Sequence, residues 1–201
     1  EKLTGNASAG DILAGLFQTR YFTERRPGAE HLYQYHPLFR EFLQAQARAV
    51  LHPDQVAEVQ RCAASLLEEA GRVEDAVALY AEAGQLQEIV RLVMARGPEL
   101  LQQGRGQRLE EWLKRIPSEQ YEQEPWLHYW RGTCRMPVAP MECEAHFEHA
   151  LNGFKAKGDH VGMLMATASM MATVQFSWID ISRFDRWIDI MGSLVPPEYV
   201  F

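Results

Sequence analysis

Apolar residues recur along this chain at two spacings, and the change falls near residue 36. In AGDILAGLFQ, residues 9–18, Ile12, Leu13, Leu16 and Phe17 stand at i, i+1, i+4 and i+5, which marks one face of a helix. Two short β-prone runs follow, Tyr21–Thr23 and Leu32–Tyr35, on either side of Pro27–Gly28. Proline presets φ and glycine supplies φ > 0, so the pattern predicts a β-hairpin. After residue 36 the spacing is helical throughout. Pro37 suits a first helical position, where no N–H is needed. The next apolar stripe runs Leu38, Phe39, Phe42, Leu43, Ala47, Val50. Pro53 restarts the chain, and Val56, Val59, Ala63, Leu66 and Leu67 form another stripe.

Helix, hairpin and helix in this order correspond to the tail end of a winged-helix arrangement. A short repeat then appears: SLLEEAG, LYAEAG, LVMARG. Gly71, Gly84 and Gly97 stand where left-handed helix caps are expected, which predicts short antiparallel helices over 54–116. Pro98 is expected to restart the chain, and Leu109, Trp112, Leu113 and Ile116 mark a further amphipathic helix that ends at Pro117. The polar run SEQYEQEP, residues 118–125, reads as a boundary.

Beyond it, PWLHYWRGTCRM and MECEAHFEHALNGFKAKGD read as an antiparallel helix pair. Cys143, Phe147 and Ala150 fall at the small–aromatic–small spacing of the second helix of a tetratricopeptide repeat, with Gly132 near the small position of the first. Residues 159–179 and 183–194 make a second pair, with Trp178 and Trp187 near its turn. The fold class is therefore all-α, an α-solenoid of TPR-like helix pairs with a small N-terminal winged-helix remnant. The expected domains are 1–52, the C-terminal part of the winged helix; 53–117, a short-helix arm; and 118–201, the start of a degenerate TPR-like sensor.

The chain has 201 residues, 47% hydrophobic and 23% charged, with a formal charge of −7. That balance argues against a general nucleic-acid surface. Three scattered cysteines, Cys62, Cys134 and Cys143, argue against a disulfide framework, and the absence of a long apolar run argues against a membrane span. A cytoplasmic setting is expected. With no initiator methionine and with PPEYVF closing the chain, it reads as a fragment of a longer protein.

Chemistry-bearing patterns are few. Gly104-Arg105-Gly106 lacks the following Lys-Ser/Thr of a P-loop and reads as a turn between helices. No nucleophile elbow or HExxH occurs, so no enzyme activity is expected of this chain. Glu142, Cys143, His146 and His149 lie within eight residues on one helix, but Cys143 is better used in packing, and no metal site is assigned. Arg20, Arg25 and Arg26 at the hairpin give only a thin basis for phosphate contacts to DNA. Trp126, Trp130, Met165 and Trp178 serve either as core or as a concave face for a ligand or peptide; Trp187, Met163, Met170 and Met171 admit the same two readings.

His36 raises the sharpest question. It precedes the proline that opens a helix, beside a positive dipole end and unpaired N–H groups, where an anion fits. The alternative is a histidine that caps or packs the corner. The runs LYQYHPLFREFLQAQ, RCAASLLEEAGRVEDAVALYAEAGQLQEIVRLV and EEWLKRIP resemble the large ATP-dependent LuxR-type bacterial activators, the maltose-regulon-activator-like members of the STAND class of signal-transduction ATPases. The resemblance spans roughly residues 9–195 and is strongest from Tyr33 to Pro117. It implies the order ATPase domain, winged helix, helical arm, TPR-like sensor and terminal DNA-binding or activation domain. It also implies that His36 matches the winged-helix histidine that contacts the β-phosphate of bound ADP in the resting state. On this reading the fragment holds no cofactor itself, and the intact protein uses ATP and ADP. Its partners are an upstream ATPase domain and a small-molecule or protein inducer on the solenoid; DNA is met only through a domain outside this chain. The alternative is a stand-alone helical-repeat adaptor that binds a protein.

Overall fold

A computed structural model describes residues 2–3, 5–25, 33–177 and 182–195. These residues are all-α apart from one two-stranded antiparallel ribbon, and they fall into two compact units, 1–85 and 86–201.

The first unit begins with α1 (Ala9–Gln18), then the ribbon strands β1 (Thr23–Arg25) and β2 (Tyr33–Tyr35), then α2 (Pro37–Val50). The ribbon register pairs Thr23 with Tyr35 and Arg25 with Tyr33, so β1 starts two residues later than its β-prone run suggests. The reason lies in the backbone before it. Arg20 and Phe22 both hold positive φ, at 54° and 46°, and this turn consumes the residues read as strand. The Pro27–Gly28 turn lies outside the described residues. The stripes of α1 and α2 have the predicted helical spacing, yet neither helix has a buried residue. Ile12 is 52% exposed, Leu38 70% and Phe42 55%.

Two better-packed helices complete this unit, α3 (Pro53–Glu69) and α4 (Val73–Glu82). Ala64, Ala76, Val77 and Tyr80 are buried at their contact. Gly71 and Gly84 adopt positive φ, as expected of left-handed caps.

The second unit contains α5 (Leu86–Gln102), α6 (Gly106–Leu113), α7 (Ser118–Gln123), α8 (Pro125–Arg135), α9 (Pro140–Lys157), α10 (His160–Ser177) and α11 (Arg183–Leu194). The expected stop at Gly97 does not occur. Helix α5 runs through Gly97 and Pro98, and the left-handed cap is Gly104, at φ 71°. Packing overrides the local signal. The buried residues Ile89, Leu92, Val93, Gly97 and Leu100 form one stripe across the proline. Gly97 itself lies under Trp130, where a Cβ would come within 3.3 Å of the indole. The polar run 118–125 is also not plain loop. Its first six residues form α7, which buries Tyr121, and the phenol donates to the Leu113 carbonyl at 2.9 Å.

Helices α8 and α9 are antiparallel, as predicted. Trp126 meets Phe154, Tyr129 meets Phe147, and Arg135 pairs with Glu142. The small–aromatic row is buried: Cys143, Phe147 and Ala150 are all at 0% exposure. A Cβ on Gly132 would approach the Phe147 ring to 2.7 Å. Gly153 is crowded in the same way by Pro125, and Gly162 on α10 by Phe154. Between α9 and α10, Gly158 takes φ 67°, and Asp159 accepts from the Gly162 N–H at 2.9 Å and the Trp126 indole N–H at 3.1 Å. One carboxylate thus starts α10 and anchors α8.

Gly132→Ala is expected to destabilise the chain by about 1–3 kcal/mol, because the extra methyl overpacks the helix seam. Gly15→Ala, in open space on α1, should be neutral or stabilising by about 0.5–1 kcal/mol. Urea unfolding of both variants checks the contrast.

Candidate functional site

His36 is the N-cap residue of α2, with φ −53° and ψ 140°, and Pro37 occupies the first turn. Its backbone N–H donates to the Phe22 carbonyl at 2.7 Å, which ties the ribbon corner to the helix start. The imidazole makes no capping hydrogen bond and is exposed, though it stands 6.3 Å from the Phe22 ring. An aromatic ladder continues behind it: Phe22 to Phe39 at 5.6 Å, Tyr35 to Phe39 at 5.5 Å and Phe39 to Phe42 at 6.4 Å. His36 lines an open cleft of about 490 Å³ with Phe17, Gln18, Arg20, Phe22, Thr23 and Glu24.

A second His-Pro helix start provides an internal comparison. His52 precedes Pro53 at the start of α3. There the first turn carries Asp54, whose carboxylate lies 3.2 Å from His52 Nδ1, and the Gln55 side chain accepts the His52 N–H at 3.0 Å. The positive end of α3 is already answered by its own residues. The first turn of α2 has no acidic residue, and no side chain caps it. The two histidines share a backbone setting but not a neighbourhood.

The sequence pattern places Arg20 at the hairpin tip; the structure corrects this. It stands just past α1, where its N–H donates to the Phe17 carbonyl and the Tyr21 N–H reaches back to Leu16, both at 3.0 Å. This hydrogen-bond pattern is the left-handed helix stop that glycine usually fills. An arginine with φ 54° in that place carries a backbone cost of about 1–2 kcal/mol. Its presence in the His36 cleft is the feature that sequence spacing missed. Arg20 and His36 share the lining of the cleft with an acid, Glu24. The side chain of Arg25 and all of Arg26 lie outside the described residues. The cleft brings together a helix start without a side-chain cap, an imidazole, a guanidinium and a carboxylate.

Of the second set of candidate residues, Trp126 and Trp130 of α8 stand together, with ring centroids 6.0 Å apart. Trp130 is 8% exposed and packed over Gly97, with its indole N–H buried and lacking an acceptor. Trp126 is half-buried, stacked edge-on to Phe154 at 4.8 Å and hydrogen-bonded to Asp159. Both tryptophans therefore work as packing residues. Met165 is exposed on α10, whereas Met163 and Met170 are buried. Trp178 lies outside the described residues; Trp187 is buried, with the Arg186 guanidinium 4.6 Å above its ring. Among the described residues, Glu142, Cys143, His146 and His149 included, no group of three or more His, Cys, Asp or Glu side chains is placed so that it could hold a metal ion. Burial pushes the Cys134 thiol up to about 12 and the Cys143 thiol to about 11, so neither is a thiolate nucleophile at neutral pH.

Arg20→Gly is expected to stabilise the first unit by about 0.5–1 kcal/mol, since glycine takes positive φ without the Cβ clash. A lower urea midpoint for this variant would show that the arginine side chain contributes packing that outweighs the backbone cost.

Among the described residues no helix is long and apolar enough to cross a membrane. No curated protein and no solved structure matches the chain. Residues 1–56, which hold α1, the ribbon, α2 and the first turn of α3, match the family described as the MalT winged helix domain. In this segment the chain is similar to part of a MalT-like transcription regulator.

Proposed function

We propose that this chain is a regulatory segment of a STAND-type, LuxR-type transcriptional activator, in which the winged-helix part reads the nucleotide state and the helical unit reads an inducer. The observation that carries the reading is the uncapped, exposed His36 at the start of α2, inside the segment similar to a MalT winged helix. In the intact protein the His36 imidazole donates a hydrogen bond to a phosphate oxygen of ADP held by an ATPase domain, and Arg20 supplies positive charge beside it.

The apolar faces of α1 and α2 support the same reading. Ile12, Phe22, Leu38 and Phe42 are more than half exposed, and covering each would contribute on the order of 1–2 kcal/mol. The ATPase domain is the proposed cover. Contact on this face together with the phosphate at His36 would favour a closed resting state. An inducer that binds the helical unit better in the open state would shift that balance, because only differential affinity moves an equilibrium. Met165 on the exposed side of α10 belongs to the face proposed for the inducer. DNA contact belongs to a domain outside this sequence.

The test uses a protein that carries the ATPase domain together with residues 1–201. His36→Ala is expected to lower the ADP retained after purification and to raise basal activity. His52→Ala, a histidine already engaged by Asp54, should leave ADP content unchanged. Phe39→Ala should cost about 1–3 kcal/mol of stability. That is less than the ~3–5 kcal/mol a fully buried phenylalanine would cost, because Phe39 is only half-buried. Equal ADP content in the His36→Ala and unmodified proteins would remove the nucleotide-sensing role.

A further inference from the structure

Three histidines, one from α8 and two from α9, meet at the seam between these helices. His128 Nδ1 lies 3.5 Å from His146 Nδ1. The His149 ring stacks on His128, with centroids 5.0 Å apart and planes at 17°. Tyr121 of α7 closes the other side, edge-on to His128 at 5.1 Å. His128 and His146 are half-buried, while His149 is exposed.

Two imidazoles facing through Nδ1 share one proton well: one ring donates and the other accepts. They cannot both be charged without placing two cations within hydrogen-bond distance. The surroundings add to this penalty. Arg131 and Arg135 of α8 act on the cluster, and the guanidinium of Arg131 lies 5.6 Å from the Tyr121 ring centre. Glu142 of α9 is the acid that acts on His146, and it is engaged by Arg135, which also reaches Glu110 of α6.

We propose that the α8–α9 seam is a proton-operated joint: acidification charges the facing His128–His146 pair and parts the two helices there, while α3 and α4 stay closed. Burial, then the neighbouring His149, His146 and Arg131, hold His128 down at about 4, and burial lowers His146 as well. A folded-state pKa below the unfolded value means that opening takes up protons between the two. Stability of the seam is therefore full above about 6.5 and lost as pH falls toward 4. From pH 7.5 to 5.0, His128 alone would raise the opening equilibrium by up to about 30-fold, or about tenfold after allowing for the water that reaches a half-exposed ring.

The experiment is amide hydrogen exchange of the full 201-residue chain at pH 7.5 and 5.0, with each rate normalised to its intrinsic pH dependence. We expect the protection of α8 and α9 to fall about tenfold while that of α3 and α4 holds. His128→Gln, which keeps a polar side chain without the titration, should flatten the difference. Should that variant fail to fold, His146→Gln serves the same purpose, and a histidine-selective ¹⁵N NMR titration of the unmodified chain reads the rings directly. An equal loss of protection in α3 and α4, an unchanged acid response in a folded variant, or His128 titrating above 6.5 would each overturn the proposal.

Discussion

Close approach of helix axes at glycine is the constraint on which the second unit depends. Gly132, Gly153 and Gly162 each face a ring, of Phe147, Pro125 and Phe154 respectively, at distances that leave no room for a Cβ. These contacts bring α8, α9 and α10 close enough for Cys143, Phe147, Ala150 and Phe154 to be fully buried. Interiors packed at this density respond to a single added methyl, because neighbouring rings have no space into which to move. The same closeness places His128 against His146 and His149. A polar cluster at a tight seam is a by-product of the geometry that makes the seam tight.

The first unit follows another logic. Its α3–α4 pair has a small core of its own, but α1, the ribbon and α2 bury only Thr23 among their described side chains. Left-handed Arg20 and Phe22 add backbone cost at the corner where the apolar ladder is exposed. Covering these exposed apolar residues would stabilise such an arrangement. At the same corner His36 starts α2 without a side-chain cap hydrogen bond.

Much of this was legible in the sequence. The α1 stripe, the α2 start at Pro37, the caps at Gly71 and Gly84 and the buried row Cys143–Phe147–Ala150 follow from spacing and from what proline and glycine do to φ. Gly97-Pro98 misled for a definite reason. Local chemistry says stop there, but Trp130 needs a flat surface, and the stripe from Ile89 to Leu100 holds the helix together across the proline. The helix α7 was missed because its signal is one buried residue, Tyr121, in a polar run. At the His36 site, spacing identified the histidine but not Arg20, which looked like part of the hairpin tip; only the turn that ends α1 brings it to the cleft. The histidine cluster was half visible, since His146 and His149 share a helix while His128 arrives from another by antiparallel packing.

In the proposed function His36 meets a nucleotide phosphate. The most direct measurement is a structure of the nucleotide-loaded protein that includes the ATPase domain. The expected result is a ring nitrogen of His36 within about 3.2 Å of a phosphate oxygen, with α1 and α2 covered by that domain. A nucleotide bound with His36 still facing solvent, beyond the reach of any phosphate oxygen, would contradict it.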